Sequence, residues 1–324
     1  MEKNWPFLIM LVGLPASGKT SLAKQLAIED GEIIATDEAF YPRPVIHSSD
    51  ALRLELYGSE EDNRHNNQLF AELHRRIKRD LLDGKHVIYD ATNINKKQRM
   101  AFLNEIAGIV CEKVCICVMT TFEDCLTRNS ERERKVPERA IERMYKNWQP
   151  PHYHEGFNQI YFYFSSYDYY SAPEYELSSL YEKMKDFNQG NRHHSLTLGQ
   201  HCLAAQKYVM EKAPTHKTVF AAAFMHDIGK LATKSYVNAK GEEDGDCHYY
   251  QHQCVGAYMA VFYLAPLDYS IEEKVDIINM IYFHMHPFMG WKQSEKALER
   301  DRRMIGDELY RDIILLHEAD VAAH

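Results

Sequence analysis

The chain has 324 residues, 45% of them hydrophobic and 26% charged, with a net charge of −9. That composition excludes a disordered or fibrous polymer, and the length suggests two domains. No apolar run approaches the ~20 residues of a membrane span, and the first apolar run is too short for a signal peptide.

The charge is unevenly placed. Residues 1–150 carry 22 Lys and Arg against 23 Asp and Glu, whereas the remainder carries 16 against 24. Thirteen of the 17 histidines also lie after residue 150, which points to different chemistry in the two parts. An acidic second part argues against a broad nucleic-acid surface, but not against a pocket that takes one end of a strand. Seven cysteines include no CxxC pair, and Cys111, Cys115 and Cys117 fall in or beside an apolar run. They read as reduced core thiols of a cytoplasmic protein.

Phe7–Val12 is short, continuous and apolar, as a buried parallel strand is. Gly13-Leu14-Pro15-Ala16-Ser17-Gly18-Lys19-Thr20 follows and leads into an amphipathic segment, Ser21 to Ile28. This is G-x-x-x-x-G-K-T between a strand and a helix, the context the P-loop requires. Gly13, Ser17 and Gly18 let the backbone cradle a phosphate at the helix N-terminus. Lys19 reaches the β- and γ-phosphates of ATP, and Thr20 holds Mg²⁺. The helix is expected to stop near Asp30-Gly31. Glu32–Pro44, with Pro42 and Pro44, reads as a surface loop.

In the stretch Val45 to Arg53, Asp50 follows a short strand-like run and precedes a helical pattern. A carboxylate there can face the ligand crevice of an α/β sheet or cap the helix. Asn66–Leu82 repeats apolar residues at helical spacing, and its basic run (His74 to Arg79) reads as a solvated face. His86 to Asn93 reads as strand then loop, with Asp90, Thr92 and Asn93 at the strand's C-terminal end, and Val114–Met119 is another strand. A helix starts at Phe122 and passes into a charge run, Arg128 to Glu138, at the position of a kinase lid. Gln159–Phe164 is the last strand, completing a doubly wound, mostly parallel sheet. Residues 1–165 therefore read as one domain, 166–190 as a linker, and 191–324 as a second domain.

The P-loop, Ser49-Asp50-Ala51-Leu52-Arg53, Asp90-Ala91-Thr92-Asn93 and Arg128-Asn129-x-x-Arg132 resemble the polynucleotide 5′-kinases of the phage end-healing type. The resemblance covers about residues 5–165. It implies Asp50 as general base for a 5′-hydroxyl, and Arg53 on the neighbouring acceptor phosphate. Arg132 would clamp the donor phosphates, with Arg128 in support.

In the second part, Asn191 to His201 opens a helical segment, and Val219 to Lys230 is Ala-rich and runs into His226-Asp227-Ile228-Gly229-Lys230. An ionisable pair on such a helix needs partners or a metal. His252 begins another helical pattern, His284 follows an apolar one, and Asp320 sits in the last helix. His286 cannot easily share a helical face with His284. His194 reads either as lining the substrate side or, with His193, as exposed, and His248, beside the acidic Glu242–Asp246 segment, reads as surface.

This order of His, His-Asp and Asp resembles the HD phosphohydrolase superfamily, which implies an all-α domain. By that resemblance, His201, His226, Asp227 and Asp320 would bind one metal. His252 and His284 would complete a second site bridged by Asp227. Such a donor set suits Mn, Fe, Co, Ni or Zn. Lys230, one turn beyond His226, is placed to bind the phosphate. The implied function is an enzyme on RNA or DNA ends. It would phosphorylate 5′-hydroxyls with ATP and Mg²⁺ and remove a 3′- or 2′-phosphate. The alternatives are a small-molecule or nucleoside kinase fused to a nucleotidase, and a nucleotide-sensing P-loop module that regulates a hydrolase.

Overall fold

The computed structural model describes residues 5–28, 43–62, 64–166, 169, 172–190 and 196–323. The expected stop at Asp30-Gly31, most of the Glu32–Pro44 loop, and His193 and His194 lie outside these residues. By contacts the chain divides into two units, residues 1–141 with 155–165, and residues 142–154 with 166–324.

The first unit is a five-stranded parallel sheet in the order β2-β3-β1-β4-β5. Its strands are β1 (Phe7–Val12), β2 (Val45–Ser48), β3 (Val87–Asp90), β4 (Glu112–Met119) and β5 (Gln159–Phe164). β1 lies at the centre because it is apolar at every position and helices cover both faces. Ile9 and Leu11 pack with Ile88, Val114, Ile116 and Val118, and with Leu22, Ala23 and Leu26 of α1 (Lys19–Ile28). The other helices are α2 (Ser49–Tyr57), α3 (Asn66–Leu82), α4 (Lys96–Glu105), α5 (Phe122–Glu131) and α6 (Glu138–Lys146). The last of these crosses the division. With every strand parallel, the C-terminal ends of β1, β2 and β3 open on one edge, where ligands bind in such sheets.

The second unit is helical, with one addition, an antiparallel hairpin of β6 (Ser235–Val237) and β7 (Glu243–His248). Its helices are α7 (Leu177–Met184), α8 (Leu198–Lys212), α9 (Lys217–Met225), α10 (Lys230–Thr233), α11 (His252–Leu264), α12 (Ile271–Phe283), α13 (Glu295–Ile305) and α14 (Asp307–Ala322). Capping boxes start α8 (Thr197 with Gln200) and α12 (Ser270 with Glu273). Residues 142–154 belong here because Trp148 packs edge-on against Tyr258 and Pro151 accepts a hydrogen bond from Asn279. Of the segment read as a linker, residues 177–184 are helical, and Tyr175 stacks on Phe262. All seven cysteines are free thiols. Among the described residues no helix is long and apolar enough to cross a membrane.

Candidate phosphate and metal sites

In the first unit the P-loop is shaped by steric demand. A Cβ on Gly13 would stand 2.7 Å from the Val118 carbonyl and 2.8 Å from Ser17 Oγ, so only glycine lets the loop pass over β4. Gly18 adopts φ 98°, a left-handed conformation that turns the chain into α1. Gly13 N–H donates to Thr92 O (3.0 Å), which ties the loop to the end of β3. Lys19 is buried and donates to Leu14 O (2.6 Å). Burial lowers its pKa, with Arg132 adding to the fall, while Asp90 and Asp50 oppose it. Thr20, expected from sequence to hold Mg²⁺, donates to Asp90 Oδ2 (2.8 Å) at the end of β3.

Asp50 is the second residue of α2. The N-cap is Ser48, so Asp50 does not cap the helix. Its side chain is 51% exposed, and Arg53, buried, donates to its Oδ1 at 2.8 Å and to Asn66 Oδ1 at 3.1 Å. Arg128 donates to Ser165 Oγ (3.0 Å), beside Thr120, whose hydroxyl in turn donates to Ser17 O (2.9 Å). Arg132 ends α5, exposed, and is close enough to Lys19 to depress its pKa.

Arg134 is one of the three arginines of the charge run, and sequence reasoning did not foresee its pairing with Asp50. Arg134 stands 3.1 Å from Asp50 Oδ2 and 2.8 Å from Glu60 Oε2, and also donates to Glu60 O (2.9 Å). Nothing in a mixed charge run distinguishes it from its neighbours. The basic face of α3 is largely paired: Arg75 with Glu72, and Arg76 with Glu55 and Glu72. That agrees with a solvated face.

In the second unit the dispersed histidines converge. His201 lies on α8, His226 and Asp227 follow α9, His252 opens α11, His284 follows α12, and Asp320 lies on α14. All six are buried. They form two groups able to hold metal, His201 with His226 and Asp320, and Asp227 with His252 and His284. Asp227 faces both: Oδ2 lies 3.4 Å from His201 and 3.5 Å from His226, and Oδ1 lies 3.2 Å from His252 and 3.6 Å from His284. His201 Nε2 lies 3.1 Å from Asp320 Oδ1.

The imidazoles are oriented for ligation. Nδ1 of His226, His252 and His284 faces the carbonyls of Ala223 (2.9 Å), Tyr249 (2.8 Å) and Ile281 (2.6 Å). A carbonyl only accepts, so each Nδ1 carries a proton and each ring turns Nε2, the nitrogen left for a metal, toward the other ligands. Nε2 of His252 and His284 stand 3.1 Å apart. Two ligands at right angles, each ~2.1 Å from one ion, stand about 3 Å apart, so the spacing fits a metal. Burial opposes the Asp227 carboxylate, but Lys230 and His226 outweigh it and hold its pKa well below the usual range. Burial likewise opposes the His226 imidazolium, and Asp227 outweighs it. Burial lowers the His284 pKa and favours the neutral, ligating ring.

Lys230 donates to Asp227 Oδ2 (2.6 Å) and Gln189 Oε1 (2.7 Å), so it first steadies the bridging carboxylate. Together with Asp227, His252 and Asp320 it lines a cavity of about 590 Å³. His248, read from sequence as surface, also lines this cavity, because β7 runs directly into Tyr249 and Tyr250. His286 packs on Phe283 and Trp291 instead of joining His284. The sequence also gave no sign of how closely Gly229 packs. A Cβ there would lie 2.0 Å from His252 O and 2.6 Å from Gly256 N.

Residues 8–151 match the family model described as an AAA domain, and residues 198–321 match that of the HD domain. The chain joins a P-loop kinase domain to an HD domain. No curated protein sequence matches. Among solved structures, a chain of the Pnkp1/Rnl/Hen1 RNA repair complex is similar at 19% identity and TM-score 0.34, over 45% of this chain and 44% of that one. This chain thus spans less than half the length of that protein. A kinase from Chloroflexus aurantiacus is similar at 17% identity and TM-score 0.39, over 50% and 89% of the two chains. Kti12 of Chaetomium thermophilum, in complex with ADP-AlF3, is similar at 21% identity and TM-score 0.39, over 49% and 89%.

Proposed function

We propose that the chain heals nucleic-acid ends, with a 5′-hydroxyl kinase in the first unit and a metal-dependent phosphatase in the second. The observation that carries the kinase half is the accessible Asp50 carboxylate, fixed by a buried arginine at the same sheet edge as the P-loop. A nucleotide-sensing module has no need of a base and an acceptor arginine at that position. In the transfer, Asp50 takes the proton of the acceptor hydroxyl as its oxygen bonds the γ-phosphorus and ADP leaves. Lys19 and Arg132 offset charge on the transferring group, Arg128 fixes the lid against Ser165, and Arg53 holds the acceptor phosphate. Thr20, beside Asp90, would hold Mg²⁺.

In the second unit, His201, His226 and Asp320 would hold one divalent ion and His252 and His284 another, with Asp227 between them. Bound there, such ions supply an acidified water and a Lewis acid for phosphate. The protein orients the rings through the Ala223, Tyr249 and Ile281 carbonyls, and Lys230 sits where it meets the phosphate once it loosens from Asp227. Ligation requires a 5′-phosphate and a free 3′-hydroxyl, and the two activities produce both.

The acidic second part and the paired basic face of α3 favour a second reading, a small-molecule kinase joined to a nucleotidase. One substrate separates them: an oligonucleotide with a 5′-hydroxyl and a 3′-phosphate, offered to wild type, Asp50→Ala and Asp227→Ala. End healing predicts loss of 5′-phosphorylation alone in the first variant and of 3′-dephosphorylation alone in the second. Turnover of mononucleotides with inert oligonucleotides selects the second reading, and retention of both activities in both variants refutes the site assignments.

A further inference from the structure

The cavity beside the HD centre has a wall the hydrolytic chemistry does not require. Tyr249, Tyr250, Phe288, Met285 and Met289 line it along with Asp227 and Lys230. Tyr250 is 45% exposed and Phe288 38% exposed, so both keep ring surface accessible. Both rings are also braced. Tyr250 stacks on His248 with centroids 5.5 Å apart and planes 6° apart, and His248 Nε2 is fixed by Asp244 Oδ1 at 2.9 Å. Phe288 sits edge-on against His317, with centroids 4.3 Å apart at 84°. Braced, accessible aromatic faces lose little entropy when a flat ligand stacks on them.

The charge of the cavity narrows the ligand further. Among the described lining residues Lys230 is the one permanent cation, and it is already engaged by Asp227 and Gln189. The hairpin strand that leads into the lining carries Glu243, Asp244 and Asp246. Beyond the metal ligands, the described lining thus offers no further cation to a di- or triphosphate chain. It suits one phosphate at the metal ligands joined to a flat, uncharged ring. The volume, about 590 Å³, accommodates such a ligand.

We propose that this cavity stacks the nucleobase of the nucleotide whose phosphate the HD centre removes, with Tyr250 and Phe288 supplying the aromatic faces. This rests on the phosphatase reading given above. Every base has a π-face, so stacking alone accepts all four. The shared chemistry is a base on a phosphorylated ribose, whether free or at the end of a strand.

The test is calorimetric binding to the full chain loaded with divalent metal, with ADP saturating the P-loop. Three probes are used: a nucleoside 3′-monophosphate, a short oligonucleotide ending in a 3′-phosphate, and the same oligonucleotide with an abasic terminal residue. Wild type should bind the base-bearing ligands at least about tenfold more tightly than the abasic one. Tyr250→Ala and Phe288→Ala should each weaken base-bearing ligands about tenfold or more and leave the abasic one with no further loss. Tyr250→Phe should bind as wild type. Equal binding of base-bearing and abasic ligands by wild type, or wild-type binding by both alanine variants, overturns the proposal. The metal-loaded chain is then assayed for phosphate release from the same probes. Base-dependent binding without release from any of them leaves the stacking site standing and sinks the phosphatase reading instead. Binding of the mononucleotide alone supports the stacking site and assigns it to free nucleotides.

Discussion

Gly229→Ala separates the two halves of the HD metal site. Gly229 has φ −62° and ψ −18°, a conformation alanine adopts freely, so the substitution adds a methyl and no backbone strain. That methyl would begin 2.0 Å from His252 O, and ordinary contact starts near 3.4 Å. Both the carbonyl and the Gly256 N–H at 2.6 Å are backbone, so no rotamer relieves the clash, and the start of α11 must withdraw by about 1.4 Å. Metal sites tolerate ligand errors of only ~0.2 Å. His252 is therefore displaced, whereas the atoms nearest the added methyl include none of His201 or Asp320. On the proposed two-ion reading, the chain should retain about one divalent ion where wild type would hold two, as measured by elemental analysis after dialysis. Phosphatase activity should fall at least 10–100-fold, the scale of damage seen when metal-site geometry is disturbed. Overpacking should also cost ~1–3 kcal/mol of stability. Gly290→Ala, with no atom within 4 Å of the added Cβ, is the control, and retained kinase activity reports that the first unit is folded. Two ions per chain and wild-type phosphatase activity in Gly229→Ala would refute this reasoning.

Other perturbations probe the remaining sites. Arg134→Ala removes the contacts to Asp50 and Glu60 but leaves Arg53 on Asp50; kcat/KM for the 5′-hydroxyl acceptor should fall about tenfold, with stability changed by no more than ~1 kcal/mol. Unchanged steady-state kinetics would make this bridge an ordinary surface pair. Lys19→Met removes a buried cation whose pKa burial already lowers, so phosphorylation should drop ~10²–10³-fold while the melting temperature does not fall. Burial, reinforced by Glu308 and Asp276 against the pull of His216, pushes the Asp312 carboxyl up to about 6. A raised folded-state pKa means that its contribution is present below about pH 4 and lost as pH rises to about 6, because the folded state holds the proton longer. Asp312→Asn should therefore flatten that part of the stability profile and raise stability at pH 8, on the order of 1–2 kcal/mol. A denaturation series parallel to wild type across pH 4–8 would contradict this.

The sequence made some of this legible because local rules and the global fold agree there. β1 is apolar throughout and ends in glycine, so strand, loop and helix could each be read from adjacent residues. Asn66–Leu82 was likewise complete, since its apolar stripe and the Asp83-Gly84 stop coincide with the observed ends of α3. The HD ligands were legible only as residue types in an order, and their resemblance to a known set supplied the grouping. What brings them together is invisible in one dimension: the turns of α8, α9, α11, α12 and α14, and the close packing of Gly229 on Gly256. Arg134 and the Tyr250–His248 stack were illegible for the same reason. Each gains its place from a partner distant in sequence or from an irregular turn, with nothing periodic to announce it.

The two sites solve opposite electrostatic problems. The P-loop meets phosphate with the protein's own positive groups, a buried lysine, lid arginines and turned-in N–H groups, and must limit their mutual repulsion before nucleotide arrives. Asp90 and Asp50 do so, since both counter the fall in the Lys19 pKa. The HD centre gathers two buried carboxylates and four imidazoles, a donor set that repels phosphate until cations intervene. Its affinity for substrate is therefore conditional on metal in a way the P-loop's is not. The remaining acidity of the second part lies mostly on exposed surface, including the hairpin beside the cavity, where it disfavours a long polyanion lying across the unit. A site so surrounded is better suited to a single phosphate at a terminus than to the body of a strand, and the aromatic wall then supplies the affinity that charge withholds.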